Sequence, residues 1–226
     1  MLVPRMLYRY RAPTIDRLRD EIRTGLIWCS YSESLNDRFD GVAFSDCTSI
    51  GKYKLKHKPA VACFSESNDN PMMWAHYAQN SKGACLGYDR ACLVQAITDF
   101  NNNSDTEERM DGGLKQEARL GKVKYVDNFR EELDSTHSDH HALLKTSHWK
   151  KESEWRILHE GLPGTVVGHD HGCNFLASNC LMEIIISEDT DDKIAEMIRD
   201  EITGTQVHLK RVSIDYSIPG YSLTDV

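Results

Sequence analysis

The chain predicts an α+β fold, a mixed, largely antiparallel sheet core with short flanking helices. Three observations predict it. Apolar runs of strand length recur at Leu26–Cys29, Pro59–Phe64, Ala84–Asp89 and Met182–Ile186, set off by turn or charged residues. The helical patterns between such runs are short and bounded by capping residues. Neither Gly-x-Gly-x-x-Gly nor Gly-x-x-x-x-Gly-Lys-Ser/Thr occurs, so a Rossmann or P-loop site has no support. The length of 226 residues accommodates one domain, 1–226, with a mobile insertion or loop at 101–117, where Asn101-Asn102-Asn103-Ser104 runs into a charged segment containing Gly112-Gly113.

Met6–Arg11 reads as the first strand, with Tyr8 and Tyr10 on one face and Leu7, Arg9 and Arg11 on the other. Pro13-Thr14 opens a helix whose Ile15, Leu18 and Ile22 follow at i, i+3 and i+7, and Gly25 stands where it stops. Leu26–Cys29 is a second strand. The turn-forming pairs in Asn36-Asp37-Arg38-Phe39-Asp40-Gly41 shape a loop. Pro59–Phe64 is a buried strand. Asn68-Asp69-Asn70-Pro71 starts a helix over Met72–Gln79, Gly83 is its expected C-terminal cap, and Ala84–Asp89 returns as a strand. Lys122–Val126 is a strand, Asp139–His148 a helix, and Gly161–Gly172 a glycine-rich loop. Met182–Ile186 is a strand, Asp191–Glu201 a helix with Ile194, Met197, Ile198 and Ile202 on one face and ending at Gly204, and Gln206–Val212 the last strand.

Hydrophobic residues at 40% and charged residues at 27% fit an ordinary soluble protein. No apolar run approaches a membrane span, and the N-terminus lacks the form of a secretion signal, so a cytoplasmic protein with no membrane partner is expected. A net charge of −8 argues against a broad nucleic-acid surface. Arginines at 5, 9, 11, 17, 19 and 23 leave room for a local site for a phosphate-bearing ligand, although Arg17, Arg19 and Arg23 read better as a solvated helix face. The seven cysteines include no Cys-x-x-Cys pair, and a disulfide framework is not expected in a reducing compartment. The late histidines, His137 to His171 with Cys173 nearby, match no metal-ligand spacing, so no metal is expected and surface histidines are the default reading.

The segment Trp149–Leu158 carries the most chemistry. Read as a strand, it sets Glu152, Glu154 and Arg156 on one face, facing a cleft or solvent, and Trp155 and Ile157 on the other, facing the core. Two carboxylates at i, i+2 beside a guanidinium suit acid–base chemistry or the orienting of a ribose, and equally suit a solvated ion pair. Earlier in the chain, His76 and Tyr77 follow Met73-Trp74 on a short helix. Tyr77 there can stack on a flat ring or simply pack.

Three stretches together resemble the bacterial domain-of-unknown-function family 2971: Leu7–Arg11 with Leu35–Asp40, then Cys63-Phe64-Ser65 through Met73-Trp74-Ala75-His76-Tyr77-Ala78 to Lys82-Gly83, and Trp149 through Glu152, Glu154 and Arg156. The likeness runs from about Met6 to about Val212, and that family name carries no activity. More weakly, the layout is similar to the ADP-ribosyltransferase superfamily, although no Ser-Thr-Ser triplet is present. This second resemblance implies a split antiparallel sheet gripping NAD, here a substrate. Arg9 would hold a ribose or phosphate, Tyr77 or Ser65 would fill the central motif with His76 beside it, and Glu154, with Glu152 as the other carboxylate, would stabilise the charge that develops as the glycosidic bond breaks.

The expected function is accordingly an NAD-consuming enzyme, an ADP-ribosyltransferase acting on a macromolecular acceptor or an NAD glycohydrolase, in the role of a toxin or phage-defence effector. The alternatives are a non-catalytic module sensing a nucleotide or peptide through the same residues, and a metal-dependent nuclease built on Asp37, Asp40, Glu152 and Glu154.

Overall fold

In a computed structural model, residues 3–31, 35–37, 59–104, 117–128, 142–160, 172–215 and 220–226 are described. They build the expected mixed α+β architecture, with a mostly antiparallel sheet core and short helices. The chain divides into two compact units. The first comprises Met1–Ile27, Phe64–Leu93 and Leu176–Val226; the second comprises Trp28–Cys63 and Val94–Phe175.

Unit 1 is built on strands β1 (Met6–Arg11), β4 (Ala84–Asp89), β10 (Leu181–Ser187), β11 (His208–Asp215) and β12 (Gly220–Asp225). β1 pairs antiparallel with β4, and β4 with β10. β10 and β11 are parallel, and β12 closes antiparallel on β11. The parallel pair needs a crossover, which helix α4 (Asp192–Ile202) supplies, capped by the Asp191 carboxylate accepting from the Lys193 N–H at 2.9 Å. α1 (Ile15–Thr24) buries Leu18 and is held against α4 at the surface, where Arg19 and Arg23 both pair with Glu201. These two arginines are surface residues, as expected.

The core of unit 1 gathers Tyr10, Met73, Trp74, Ala78, Cys85, Ile185 and Val212. Trp74 meets Tyr10 edge-to-face at 5.4 Å and donates its indole N–H to the Asn68 carbonyl, which satisfies the polar end of a fully buried ring. It sits on α2 (Pro71–Tyr77), which has Asn70 as a bonded N-cap and proline at its first position. Gly83 does not cap α2. The chain leaves that helix through Gln79, Asn80 and Ser81, all at positive φ, and Gly83 instead fits where a Cβ would lie 1.9 Å from the Arg11 carbonyl oxygen.

Unit 2 contains β2 (Leu26–Tyr31) and β3 (Ala60–Ser65) for most of their lengths, paired antiparallel, with β9 (Gly172–Leu176) beside β2. β8 (Glu154–Glu160) pairs with β3 and, antiparallel, with β5 (Glu117–Lys122). A small parallel pair, β6 (Lys124–Val126) with β7 (Leu144–Thr146), stands apart from that sheet. α3 (Arg90–Ser104) spans the division of the chain and includes Asn101–Ser104. Of the expected insertion, residues 105–116 lie outside the described residues.

Two further expectations are corrected here. Asp139–His148 does not form the predicted helix: in its described part Leu144–Thr146 is β7, and a 3₁₀ helix spans Ser147–Glu152. β-Pairing with Lys124–Val126 overrides the local helical pattern. Among the described residues there is one disulfide, Cys92–Cys180, within unit 1, although the sequence gives no expectation of a disulfide framework. No helix among the described residues is long and apolar enough to cross a membrane.

Candidate functional site

The chemistry singled out at Trp149–Leu158 is present, but its geometry differs from a single strand. Ser153, in the left-handed region at φ 46°, ends the 3₁₀ helix and turns the chain into β8. Glu152 therefore precedes the strand, while Glu154 and Arg156 share one face of it. The expected outlook of that face is also overturned. Glu152, Glu154 and Arg156 are 2%, 3% and 1% exposed, whereas Trp155 on the opposite face is only half-buried.

The carboxylates are buried because cations are buried with them. Arg156 donates from Nε to Glu154 Oε1 at 2.8 Å and from Nη2 to Oε2 at 3.0 Å, and its Nη1 donates to the Ala142 carbonyl at 2.8 Å. Lys145 Nζ donates to Glu154 Oε2 at 3.1 Å and to Glu152 Oε2 at 2.5 Å, and lies 4.9 Å from the centre of the Trp149 ring. The Cys63 thiol on β3 also bonds the Glu154 carboxylate. An ionised carboxylate offers about four acceptor positions. Arg156 takes two, Lys145 one and Cys63 one.

Backbone contacts fix the group further. The Glu154 N–H donates to the Tyr125 hydroxyl at 2.8 Å, and the β6–β7 register sets Tyr125 beside Lys145. Burial pushes the Glu154 carboxyl up, but Arg156 and then Lys145 outweigh it and bring it down to about 2. Burial, with Glu154 next to it, pushes the Cys63 thiol up.

In unit 1, Arg9 enters a comparable arrangement. Its Nε stands 3.2 Å from Glu21 Oε1, Arg11 Nε stands 3.0 Å from Oε2, and the Tyr88 hydroxyl donates to Oε1 at 2.8 Å. Arg9 is also 5.9 Å from the centre of the Phe64 ring. Glu21, read in sequence as one acid among several on α1, is the buried counter-charge for both arginines.

Ser65 is fully buried, and its hydroxyl accepts from the Ser67 N–H at 3.1 Å, shaping the turn after β3. His76 is exposed, and its ring meets that of half-buried Tyr77 edge-to-face at 6.4 Å. Tyr77 packs on the core cluster of unit 1, and so does half-buried Tyr8. Tyr8 bonds Glu183 and Asn68, and Glu183 accepts from Lys210 Nζ at 2.6 Å. The lack of a side chain at Gly87 gives Tyr8 and Glu183 their places, because a Cβ there would meet Glu183 Cγ at 2.6 Å and Tyr8 Cε1 at 3.0 Å.

The structure thus brings together Glu152 and Glu154, adds Lys145, Cys63 and Tyr125 to them, and gathers half-buried Tyr8, buried Glu183 and partly exposed Lys210 in unit 1. Sequence reasoning missed Lys145, Glu21 and Glu183. The only signal for them was a need for counter-charges. Asp37 is buried and Asp40 lies outside the described residues. Among the described residues no group of three or more His, Cys, Asp or Glu could hold a metal ion.

Residues 73–157 match the family model described as "Protein of unknown function (DUF2971)". This supports the resemblance drawn from the motifs, over a shorter span than they indicated. The matched stretch includes Trp74, His76, Tyr77, Lys145, Glu152, Glu154 and Arg156, and omits Arg9 and Ser65. No curated protein and no solved structure matches the chain.

Proposed function

We propose that this protein is a non-catalytic module that senses a nucleotide. The observation that carries the reading is the filled coordination of Glu154, whose acceptor positions are taken by Arg156, Lys145 and Cys63. A ribose hydroxyl could reach that carboxylate only by displacing a charge-assisted bond, at about 1.5–3 kcal/mol for each bond lost. Buried charge that is neutralised from within holds a unit together rather than receiving a substrate. Unit 1 offers groups that suit a nucleotide: the half-buried Tyr8 and Tyr77 rings for a base, and the partly exposed Lys210, beside buried Glu183, for phosphate.

Calorimetric titration with AMP, ADP-ribose and NAD, run beside an assay for released nicotinamide, tests this reading. Binding without release is expected, weakened at least fivefold in Tyr77→Ala, since one stacked base is worth about 1–3 kcal/mol. Absence of binding by every nucleotide overturns it.

A second reading, the NAD-consuming enzyme, is favoured by one specific feature: Glu154 is held ionised, the state needed to stabilise a developing oxocarbenium ion. It requires Lys145 or Cys63 to give way when NAD arrives. Under it the protein is an ADP-ribosyltransferase or NAD glycohydrolase of the cytoplasm, used as a toxin or phage-defence effector. Nicotinamide release that disappears in Glu154→Gln selects this reading over the sensor.

A further inference from the structure

Side chains from three strands of unit 2 converge on a site that neither functional reading uses. Cys173 on β9 places its sulfur 2.9 Å from Nδ1 of His159 on β8. The Cys29 thiol on β2, the strand next to β9, bonds the same sulfur. All three residues are buried; Cys173, at 6% exposed, is the most open. Phe100 lies against the His159 ring at 5.1 Å and against Phe175 at 5.8 Å, so an apolar wall backs the cluster. His159 is therefore not the surface histidine the sequence led one to expect.

We infer that Cys29, Cys173 and His159 form a peroxide-responsive thiol pair that closes to a disulfide between β2 and β9. Two donors, the Cys29 S–H and the His159 Nδ1–H, can aim at the Cys173 sulfur, and that arrangement favours a thiolate there. The hydrogen bond from Cys29 and the contact with His159 bring the Cys173 thiol well below the usual range against the upward push of burial. Cys63 and Cys85 are pushed the opposite way, chiefly by burial, so they are the unreactive thiols for comparison.

The chemistry proceeds in two steps with a hydroperoxide as oxidant. The Cys173 thiolate attacks the peroxide oxygen, the O–O bond breaks, and the leaving oxygen takes a proton and departs as water or an alcohol. Cys173 is then a sulfenic acid. Cys29 loses its proton and attacks that sulfur; the S–S bond forms, the S–O bond breaks, and the hydroxyl leaves as water. In sum, two thiols and one peroxide give a disulfide, an alcohol or water, and one further water. Cys173 is buried, so a small oxidant such as hydrogen peroxide suits it better than a bulky one.

The test uses the full chain with thiols reduced, one equivalent of hydrogen peroxide, rapid alkylation and peptide mass mapping. A peptide cross-linking Cys29 to Cys173 is expected, with Cys63 and Cys85 still alkylated. In Cys29→Ser, a dimedone adduct at Cys173 replaces the cross-link. His159→Gln slows the reaction of Cys173 at least tenfold and leaves that of Cys63 unchanged, whereas a loss of fold would accelerate both. Peroxide reacting equally with Cys29, Cys63, Cys85 and Cys173, or a cross-link that joins Cys29 or Cys173 to a different cysteine, overturns the proposal, and the wild-type measurement alone decides between these results.

Discussion

Glu154 and Arg156, two residues apart on β8, close a bidentate ion pair at 2.8 and 3.0 Å inside unit 2, and Lys145 completes it from β7. The spacing that makes this pair visible in the sequence is the period of a strand, which sets both side chains on one face. The third member is brought in by the fold. Removing one partner from such a cluster leaves uncompensated charge in a dry interior, and the cost is about 3–5 kcal/mol. Glu154→Gln therefore lowers the unfolding midpoint in denaturant whether or not the protein has an enzymatic activity. A variant as stable as the parent would show that the cluster contributes nothing to the fold.

The same carboxylate sets an acid limit. Its value in the folded protein is about 2, against an ordinary value of 4.5. A depressed folded value means that the stabilisation is fully present above the unfolded value and is lost as pH falls toward the folded one. The contribution is on the order of 3 kcal/mol, and it fades between about pH 4.5 and pH 2. Denaturant titrations of the parent and Glu154→Gln at pH 7, 5, 4 and 3 check this. The gap between the two proteins should hold from pH 7 to pH 5 and narrow below it, because protonation gives the parent the neutral side chain that Gln already has. A constant gap down to pH 3 contradicts the assignment.

Glu21 plays the matching part in unit 1, facing Arg9, Arg11 and the Tyr88 hydroxyl. Glu21→Gln keeps an acceptor for Tyr88 but removes the carboxylate that two guanidinium groups share. A loss of about 3 kcal/mol is expected, as for a broken buried pair. Arg11 is partly open to water, so Arg11→Met should cost less than Arg9→Met. Thermal unfolding of the three variants checks that order, and equal losses for the two arginine changes would contradict it.

These clusters also show how far the residues could be read in advance. β1, β3, β4 and β10 were legible because apolar runs and turn residues are local signals, and α2 was legible because Asn70-Pro71 starts a helix by local chemistry alone. β9 and β12 were missed: β9 follows a glycine-rich stretch, β12 (Gly-Tyr-Ser-Leu-Thr-Asp) has no apolar run, and each is fixed by its neighbouring strand. α3 was missed because exposed Val94, beside the buried pair Leu93 and Ile97, blurs the contrast between its faces, and its end is the polar run Asn101–Ser104. Glu154 beside Arg156 was legible as a motif, but its burial was not. A charge facing solvent and a charge neutralised by Lys145, nine residues earlier on β7, look alike within the Glu-x-Arg motif itself. Cys173 beside His159 was hidden for the same reason, since the pairing depends on how β8 and β9 are brought together.

The Cys92–Cys180 disulfide joins the start of α3 to the residue before β10, at a sequence separation of 88. Closing so long a loop removes many conformations from the unfolded chain, and the usual worth of such a link is about 2–4 kcal/mol. Cys92→Ser and Cys180→Ser should each lose that amount, and the parent should lose the same amount when reduced. If reductant further destabilises the serine variants, another disulfide contributes to stability. The two oxidation states of unit 2 provide the obvious source, and peptide mapping would locate it.

Gly83 and Gly204 are both glycines of unit 1, and they are required for different reasons. At Gly83 the obstacle is another part of the backbone: a Cβ would stand 1.9 Å from the Arg11 carbonyl oxygen and 3.0 Å from its carbon. The residue cannot slide away, because its N–H donates to the Ala78 carbonyl at 2.9 Å and its carbonyl accepts from the Thr190 hydroxyl at 2.9 Å. At Gly204 nothing lies within 4 Å, but φ is +79°, so only the backbone conformation resists a side chain. Gly204→Ala should cost about 1 kcal/mol, the usual penalty of a left-handed residue. Gly83→Ala forces β1 and β4 apart and should cost about 3 kcal/mol, the upper range for overpacking a close contact. Because β1 carries Tyr10 onto Trp74, Gly83→Ala should also shift the tryptophan emission of the folded protein, and Gly204→Ala should leave it unchanged. Equal destabilisation by the two changes would mean that the approach of Gly83 to Arg11 is looser than its geometry implies.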